Sequence, residues 1–142
     1  VICRLSKVLS GRHGIIRDWI LKLRGRHVTH AAGNLRIAPL SAHFTARHLV
    51  QLADQAGTGI YHLSGESEVS YLELCLQLCD TLGVPRNAVV RRDMQPAHTA
   101  APARLDMTNT SRQTGISAQK LVNAMADLIM EQALVGLAPS SG

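Results

Sequence analysis

Aromatic residues are scarce in this chain. Trp19, Phe44, Tyr61 and Tyr71 are all it has, 3 % of 142 positions. Packing therefore falls to Leu, Ile, Val and Ala, and few rings are available to stack nucleobases. Long apolar runs are missing too. None approaches the ~20 residues a bilayer helix needs, and no apolar segment follows a basic start as in a secretory leader. A soluble cytoplasmic protein with no membrane partner is expected. Cysteine is sparse and odd in number (Cys3, Cys75 and Cys79), which fits buried thiols in a reducing compartment better than a disulfide framework. No Cys pair flanks the seven histidines. His43 and His48 are spaced so that their rings do not share one helical face, and His27 and His30 fall in a stretch read as loop, so no metal is expected. The chain opens on Val1, directly in a strand-like run, and reads as the latter part of something longer.

Apolar residues make up 46 % of the chain, enough for one domain with a core. Charge is unevenly spread. Residues 1–36 hold eight Lys and Arg against Asp18 alone, a balance of +7, and the remainder balances at −2. A basic first quarter suits an anionic partner, either nucleic acid or a phosphorylated small molecule, and equally suits a solvated helix face. The shortage of aromatics weakens the nucleic-acid version.

The most legible stretch runs from Gly59 to Leu82. Ile60 to Leu63 reads as a buried strand, followed by a turn through Glu66, Ser67 and Glu68. Ser70 and Glu73 then form a capping-box pattern that opens a helix. Leu72, Cys75, Cys79 and Leu82 recur on one face of it, widened by Leu74 and Leu78. Gly83 and Pro85 end it. Ligands of open α/β sheets bind beyond the carboxyl ends of strands, where this loop would sit.

Elsewhere, Val1 to Leu9 reads as a strand buried on both sides at its start. Ile15 to Leu23 predicts a helix with Ile16, Trp19, Ile20 and Leu23 inward, closed by Gly25. Arg26 to Asn34 reads as a loop. Leu35 to Ala38 is a strand ended by Pro39, and Phe44 to Ala56 a helix with Leu49, Leu52, Ala53 and Ala56 inward. A strand over Ala88 to Arg91 precedes a Pro- and Ala-rich passage, Met94 to Arg104, expected to be a surface connection or a segment that orders on a ligand. Leu105 to Gly115 is turn-rich. Ser117 is placed to cap a last helix reaching Gln132, with Leu121, Ala124, Met125, Leu128 and Ile129 inward. Residues 1–135 would form the folded part and 136–142 a flexible tail.

Four strings in register resemble the C-terminal half of an extended short-chain dehydrogenase, most narrowly the dTDP-4-dehydrorhamnose reductase family. They are Arg4-Leu5-Ser6-Lys7-Val8-Leu9 with Gly11; Leu35 to Leu40 leading into Phe44 to Leu52; Gly59 to Gly65 with Ser70-Tyr71-Leu72-Glu73; and Leu105-Asp106-Met107-Thr108 before Thr114-Gly115-Ile116. The resemblance implies an α/β chain, the C-terminal portion of a Rossmann-like doubly wound fold plus a small substrate-binding subdomain. It implies the sugar-nucleotide-binding part of an enzyme that uses NADPH or NADH to reduce the keto-sugar of a nucleotide diphosphate. A non-catalytic regulatory relative of the same fold, or a nucleotide-sugar epimerase or dehydratase, stays open beside it. A homodimer is compatible with either.

The family's Gly-rich dinucleotide turn and its Tyr-x-x-x-Lys pair do not occur here, so the resemblance assigns no catalytic residue to this chain. It places Arg4, Ser6 and Lys7 at the end of a strand facing nicotinamide and sugar, and Ser41 and His43 in a loop that meets the nucleotide. Arg104 is placed to clamp the diphosphate bidentately. Arg91 and Arg92 are less promising, because adjacent strand residues point to opposite faces. Lys7 stands where the rhamnose reductases carry Trp, which suggests another sugar or another pocket.

Overall fold

The computed structural model describes residues 1–55, 57–95 and 103–135. The Pro- and Ala-rich passage lies in part, and the tail entirely, outside the described residues. So does Ala56, expected on the inner face of the second helix. Strand β1 (Ile2–Leu5) runs through Ser6 and Lys7 into β2 (Val8–Leu9), and α1 (Gly14–Arg24) follows. Next come β3 (Thr29–Ala31), β4 (Arg36–Ile37), β5 (Leu40–Ser41) and α2 (Ala42–Gln55). The chain continues through β6 (Ile60–Leu63), β7 (Val69–Ser70), α3 (Tyr71–Leu82), a single 3₁₀ turn and β8 (Val89–Arg91). Two helices end it, α4 (Thr108–Thr114) and α5 (Leu121–Val135).

Three strand pairs are parallel (β1 with β6, β2 with β5, β3 with β8), and β4 with β7 is antiparallel. Parallel partners need long crossovers, and here helices and loops supply them. The first pairing sets Ile2 opposite Ile60 and Leu5 opposite Leu63, so the opening run and the central strand lie side by side. The far edge of β6 is capped by α4. Thr110 Oγ1 accepts from the His62 N–H at 2.9 Å and donates to the His62 carbonyl at 2.8 Å, blunting an edge otherwise open to pairing.

The larger core joins α1, α3 and α5. Ile16, Trp19, Ile20 and Leu23 of the first pack with Leu74, Cys75, Leu78 and Cys79 of the second and Ala124, Met125 and Leu128 of the third. Helix α3 begins as its pattern dictates: Ser70 Oγ accepts from the Glu73 N–H and Glu73 Oε2 from the Ser70 N–H, both at 3.0 Å. Gly83 ends it at φ 72°, the left-handed position that a residue with a Cβ adopts at a cost. Burial pushes the Cys75 thiol up to about 12, with Cys79 adding to the rise, so neither thiol is primed to react. A smaller core gathers Leu40, Leu52, Tyr61, Leu63, Met107 and Ile116.

Several expectations are corrected. The opening strand is not buried on both sides: Ile2 is 59 % and Leu5 39 % exposed, because β1 pairs on one edge only among the described residues. It also breaks at Ser6 and Lys7 instead of running on to Leu9. Helix α2 buries Thr45 and Leu52 and leaves Leu49 and Ala53 exposed, since it rests on α5 and β5 along a narrower stripe. The loop read over Arg26 to Asn34 contains β3, whose residues have too short a run to show a period. The turn-rich stretch after Leu105 contains α4. Helix α5 starts at Leu121, beyond the reach of a Ser117 cap, and Ser117 is exposed. Gly25 follows α1 as expected, yet the left-handed residue is its neighbour Arg26, at φ 57°.

Candidate functional site

Strands β3 and β8 end side by side, and a cavity of about 330 Å³ opens beyond them. The Arg92 N–H donates to the Ala31 carbonyl at 2.9 Å, carrying the ladder one residue past β8 and setting Arg92 in the cavity wall. Lys7 enters from the break between β1 and β2. Its own carbonyl accepts from the Leu40 N–H at 2.9 Å, which fixes the backbone that bears it. His30, from β3, completes the polar lining.

The remaining wall is apolar and aromatic. Ile15 and Trp19 come from α1, Leu35 from the segment before β4, and Tyr71 from the first turn of α3. Trp19 and Tyr71 meet edge to face, with centroids 6.1 Å apart and planes at 83°. Such a pair holds two large rings in one orientation. Burial raises the Tyr71 hydroxyl above its ordinary pKa, so it stays a neutral phenol at physiological pH. A second cavity, of about 480 Å³, adjoins this one and shares Lys7 and Ile15 with it, adding Arg12 and His13.

Two clasps hold the cavity's rim. Asp93 Oδ1 accepts from the Gly33 N–H at 3.0 Å and from Arg91 Nε at 2.9 Å, while Arg91 Nη2 donates to Oδ2 at 3.1 Å. A Cβ on Gly33 would sit 2.6 Å from the Arg91 guanidinium carbon, so any larger residue here would push the Arg91 side chain aside. Asn34 closes a ring with Met94, donating from Nδ2 to its carbonyl at 2.6 Å and accepting its N–H at 3.0 Å. The Tyr71 and Leu72 N–H groups, donating to the Leu35 and Ala32 carbonyls, tie the same loop to the start of α3. Arg91 is thus consumed by structure and Arg92 is free to face the cavity. Alternation along a strand separates the two arginines as expected, but the one left over faces a pocket.

Of the six residues singled out in the sequence, Lys7 alone lines this cavity. Arg4 is exposed on β1, opposite His62. Ser6 is committed to the frame: its hydroxyl donates to the Ala38 carbonyl at 2.7 Å and accepts from the Gly65 N–H at 3.1 Å. Ser41 is fully buried, donating to Asp127 Oδ2 at 2.6 Å and accepting from the Phe44 N–H at 3.1 Å at the start of α2. His43 is exposed and lines a different groove, between α2 and α5. Arg104 lies against the 66–68 loop, its Nη1 donating to the Glu66 carbonyl at 3.3 Å and its N–H to Glu68 Oε1 at 2.9 Å. Sequence reasoning missed His30, Trp19 and Tyr71, and set Arg92 aside. The signal that finds them is pairing, since β3 and β8 are far apart in the chain and adjacent only once folded.

In the β2–α1 turn, a Cβ on Gly11 would lie 1.8 Å from the Leu128 carbonyl oxygen, so this glycine serves close packing against α5. No three or more His, Cys, Asp or Glu side chains among the described residues converge on a metal position. No described helix is long and apolar enough to cross a membrane.

No family model and no curated protein matches this chain. Solved structures do. WbmH of Bordetella bronchiseptica, in complex with NAD+, is similar with a TM-score of 0.72 at 22 % identity, over 94 % of this chain and 45 % of its own. A double mutant of DesIV, a dTDP-glucose 4,6-dehydratase of Streptomyces venezuelae with NAD bound, gives 0.72 at 19 % identity, over 93 % of this chain and 43 % of its own. A dTDP-4-dehydrorhamnose reductase of Bacillus anthracis str. Ames, in complex with NADP, gives 0.70 at 16 % identity, over 92 % and 46 %. The chain spans less than half the length of each. These likenesses show the fold: an α/β chain that matches the C-terminal portion of Rossmann-fold chains.

Proposed function

We propose that this chain is the sugar-nucleotide-binding part of an NAD(P)-dependent oxidoreductase that reduces a nucleotide-diphosphate keto-sugar. The observation that carries the reading is the Lys7–Arg92 cavity. Two cations whose positions are set by backbone hydrogen bonds stand beyond the carboxyl ends of parallel strands, where ligands of open α/β sheets bind. A diphosphate is the natural occupant for such a pair, Arg92 taking two oxygens in a fork and Lys7 acting as a point charge. The aromatic and aliphatic wall made by Ile15, Trp19, Leu35 and Tyr71 suits the flat face of a base or sugar.

A bound nicotinamide would supply hydride. The share of this chain is to orient the sugar and to neutralise phosphate, which lowers the barrier by holding the reacting carbonyl in place. The similarity of a dehydratase and a reductase at nearly equal TM-scores supports a sugar nucleotide in general more than any single reaction. An epimerase, a dehydratase or a non-catalytic binding relative would use the same cavity.

Calorimetric titration of the chain with UDP and dTDP tests the reading. Uptake that falls about tenfold or more in Arg92→Ala and in Lys7→Ala, with unchanged melting temperature, is the expected result. No uptake of either nucleotide, or uptake indifferent to both variants, would overturn it. Tight DNA or RNA binding lost with Lys22 and Arg24 would favour the basic-domain alternative instead.

A further inference from the structure

The groove between α2 and α5 is larger than the cavity just described, about 530 Å³, and shares no lining residue with it. Four basic side chains line it: His43, Arg47 and His48 from α2, and Lys120 from the segment entering α5. Arg47 and Lys120 make no ion pair or side-chain hydrogen bond among the described residues. One acid stands in the wall, Asp127, and it is already engaged. Its Oδ2 accepts from Ser41 Oγ at 2.6 Å and from Gln119 Nε2 at 3.0 Å. Those donors are neutral, so the carboxylate offsets one of the two cations, and Arg47 with Lys120 leaves the groove one net positive charge.

His48 adds an independent observation. Its Nδ1 is the one buried side-chain polar atom without a hydrogen-bond partner among the described residues. An orphan of that kind costs free energy that a partner would return. Phe44 packs against the ring edge to face at a centroid distance of 4.2 Å, so a small turn of the imidazole toward the groove is what would bring Nδ1 to a partner there. Burial, and secondarily Arg47, hold the imidazole below its ordinary pKa. The neutral ring carries one N–H, and in the tautomer that places it on Nδ1 it can donate to an anionic oxygen.

We propose that this groove is a second anion site, taking a small phosphorylated molecule between Arg47, Lys120 and His48. Two cations and a neutral hydrogen-bond donor lining one groove match the oxygens of a phosphate monoester. The volume exceeds a bare phosphate, and Phe44, Ile116 and Ala118 offer apolar surface for the organic part. The inference stands apart from the sugar-nucleotide reading, since the two cavities have no residue in common. It gives His43 a place as well, at the groove's rim and away from the sugar.

Nuclear magnetic resonance of the chain, titrated with inorganic phosphate and with AMP, reads this directly. The His48 imidazole and Arg47 side-chain signals are expected to shift saturably, at lower concentration for AMP, and not with chloride at matched ionic strength. Arg47→Ala and Lys120→Ala should each weaken the binding about tenfold or more, the loss of one charge-assisted contact. Arg92→Ala should leave it unchanged. Shifts that chloride reproduces, or that survive Arg47→Ala, would overturn the site. So would their loss in Arg92→Ala, which would place the anion in the other cavity.

Discussion

The two cores of this chain are built to different degrees of closure. In the larger one, α1, α3 and α5 enclose each other's apolar faces, and Ile20, Leu74, Cys75, Leu78, Met125 and Leu128 are wholly inaccessible. In the smaller, Tyr61 and Leu63 are buried on one side of β6, while Ile2 and Leu5 of β1 and Ile60 beside them face solvent. The sheet there is two strands wide, and its β1 edge has no partner strand among the described residues. A two-stranded parallel ladder is marginal without cover. The lesson is that most of the candidate sugar-nucleotide cavity belongs to the closed region. Ile15, Trp19, His30, Tyr71 and Arg92 reach it from α1, β3, α3 and the end of β8, and Lys7 alone enters from the break after β1. The exposed apolar edge belongs to the other region.

The comparison breaks most sharply under one substitution made in both places. Leu78 and Leu63 are each 0 % exposed. Leu78→Ala leaves a cavity between rigid helices and should cost about 4 to 5 kcal/mol, whereas Leu63→Ala can relax toward the open side of the sheet and should cost about 2 to 3 kcal/mol. Urea unfolding of the two variants, with the slope checked for constancy, measures the gap. Equal losses would mean that the two cores are equally closed.

A smaller effect is expected where the two regions join. Glu131 of α5 is 6 % exposed, and its carboxylate accepts from the Gly11 N–H and the His43 N–H, both at 2.9 Å. One acceptor thus ties the turn before α1 to the start of α2. Glu131→Ala leaves both amides without a partner and should cost about 2 to 4 kcal/mol, while Glu131→Gln keeps one acceptor and should cost about half of that. Thermal melts of the pair check it. A full loss in Glu131→Ala beside none in Glu131→Gln would point to side-chain volume, not hydrogen bonding, as what matters there.

How much of this was legible beforehand depends on how local each cause was. The inward residues of α1, the capping box at Ser70 and the left-handed Gly83 are written in neighbouring residues, and sequence reasoning found all of them. Strands β3, β5 and β7 are two or three residues long and exist because a distant partner pairs with them, which no local pattern records. Helix α4 is hidden for another reason. Its Thr, Asn and Ser content reads as turn, and it is held by Thr110 bonding to β6 and by Ser111 donating to the Ile116 carbonyl. The site divides the same way. Lys7, singled out through the family resemblance, lines the cavity, and Arg92 was set aside until Asp93 was seen to occupy Arg91.

Within the closed region, Ser70→Ala should cost about 1 kcal/mol, since one capped amide is lost and the helix face stays packed. Urea unfolding again measures it. A loss as large as that of Leu78→Ala would mean that α3 is held by its cap more than by its core.

The smallest effect concerns the rim clasp at Asp93. Hydrogen bonding to Arg91, helped by the Gly33 N–H, holds this carboxyl below its ordinary pKa. A group whose folded pKa is depressed lends stability that is fully present above its unfolded pKa, and that stability is lost as pH falls through the folded one. Both side chains of the pair are substantially exposed, so the contribution is screened and small. Asp93→Asn should therefore melt slightly below the parent chain at neutral pH, and the difference should vanish in acid. Melting temperatures taken across that range decide it. An amide oxygen can still accept the Gly33 N–H, so the variant removes the charge and leaves that bond available. A gap that persists unchanged in acid would mean that the substitution disturbs the loop by some route other than the lost charge.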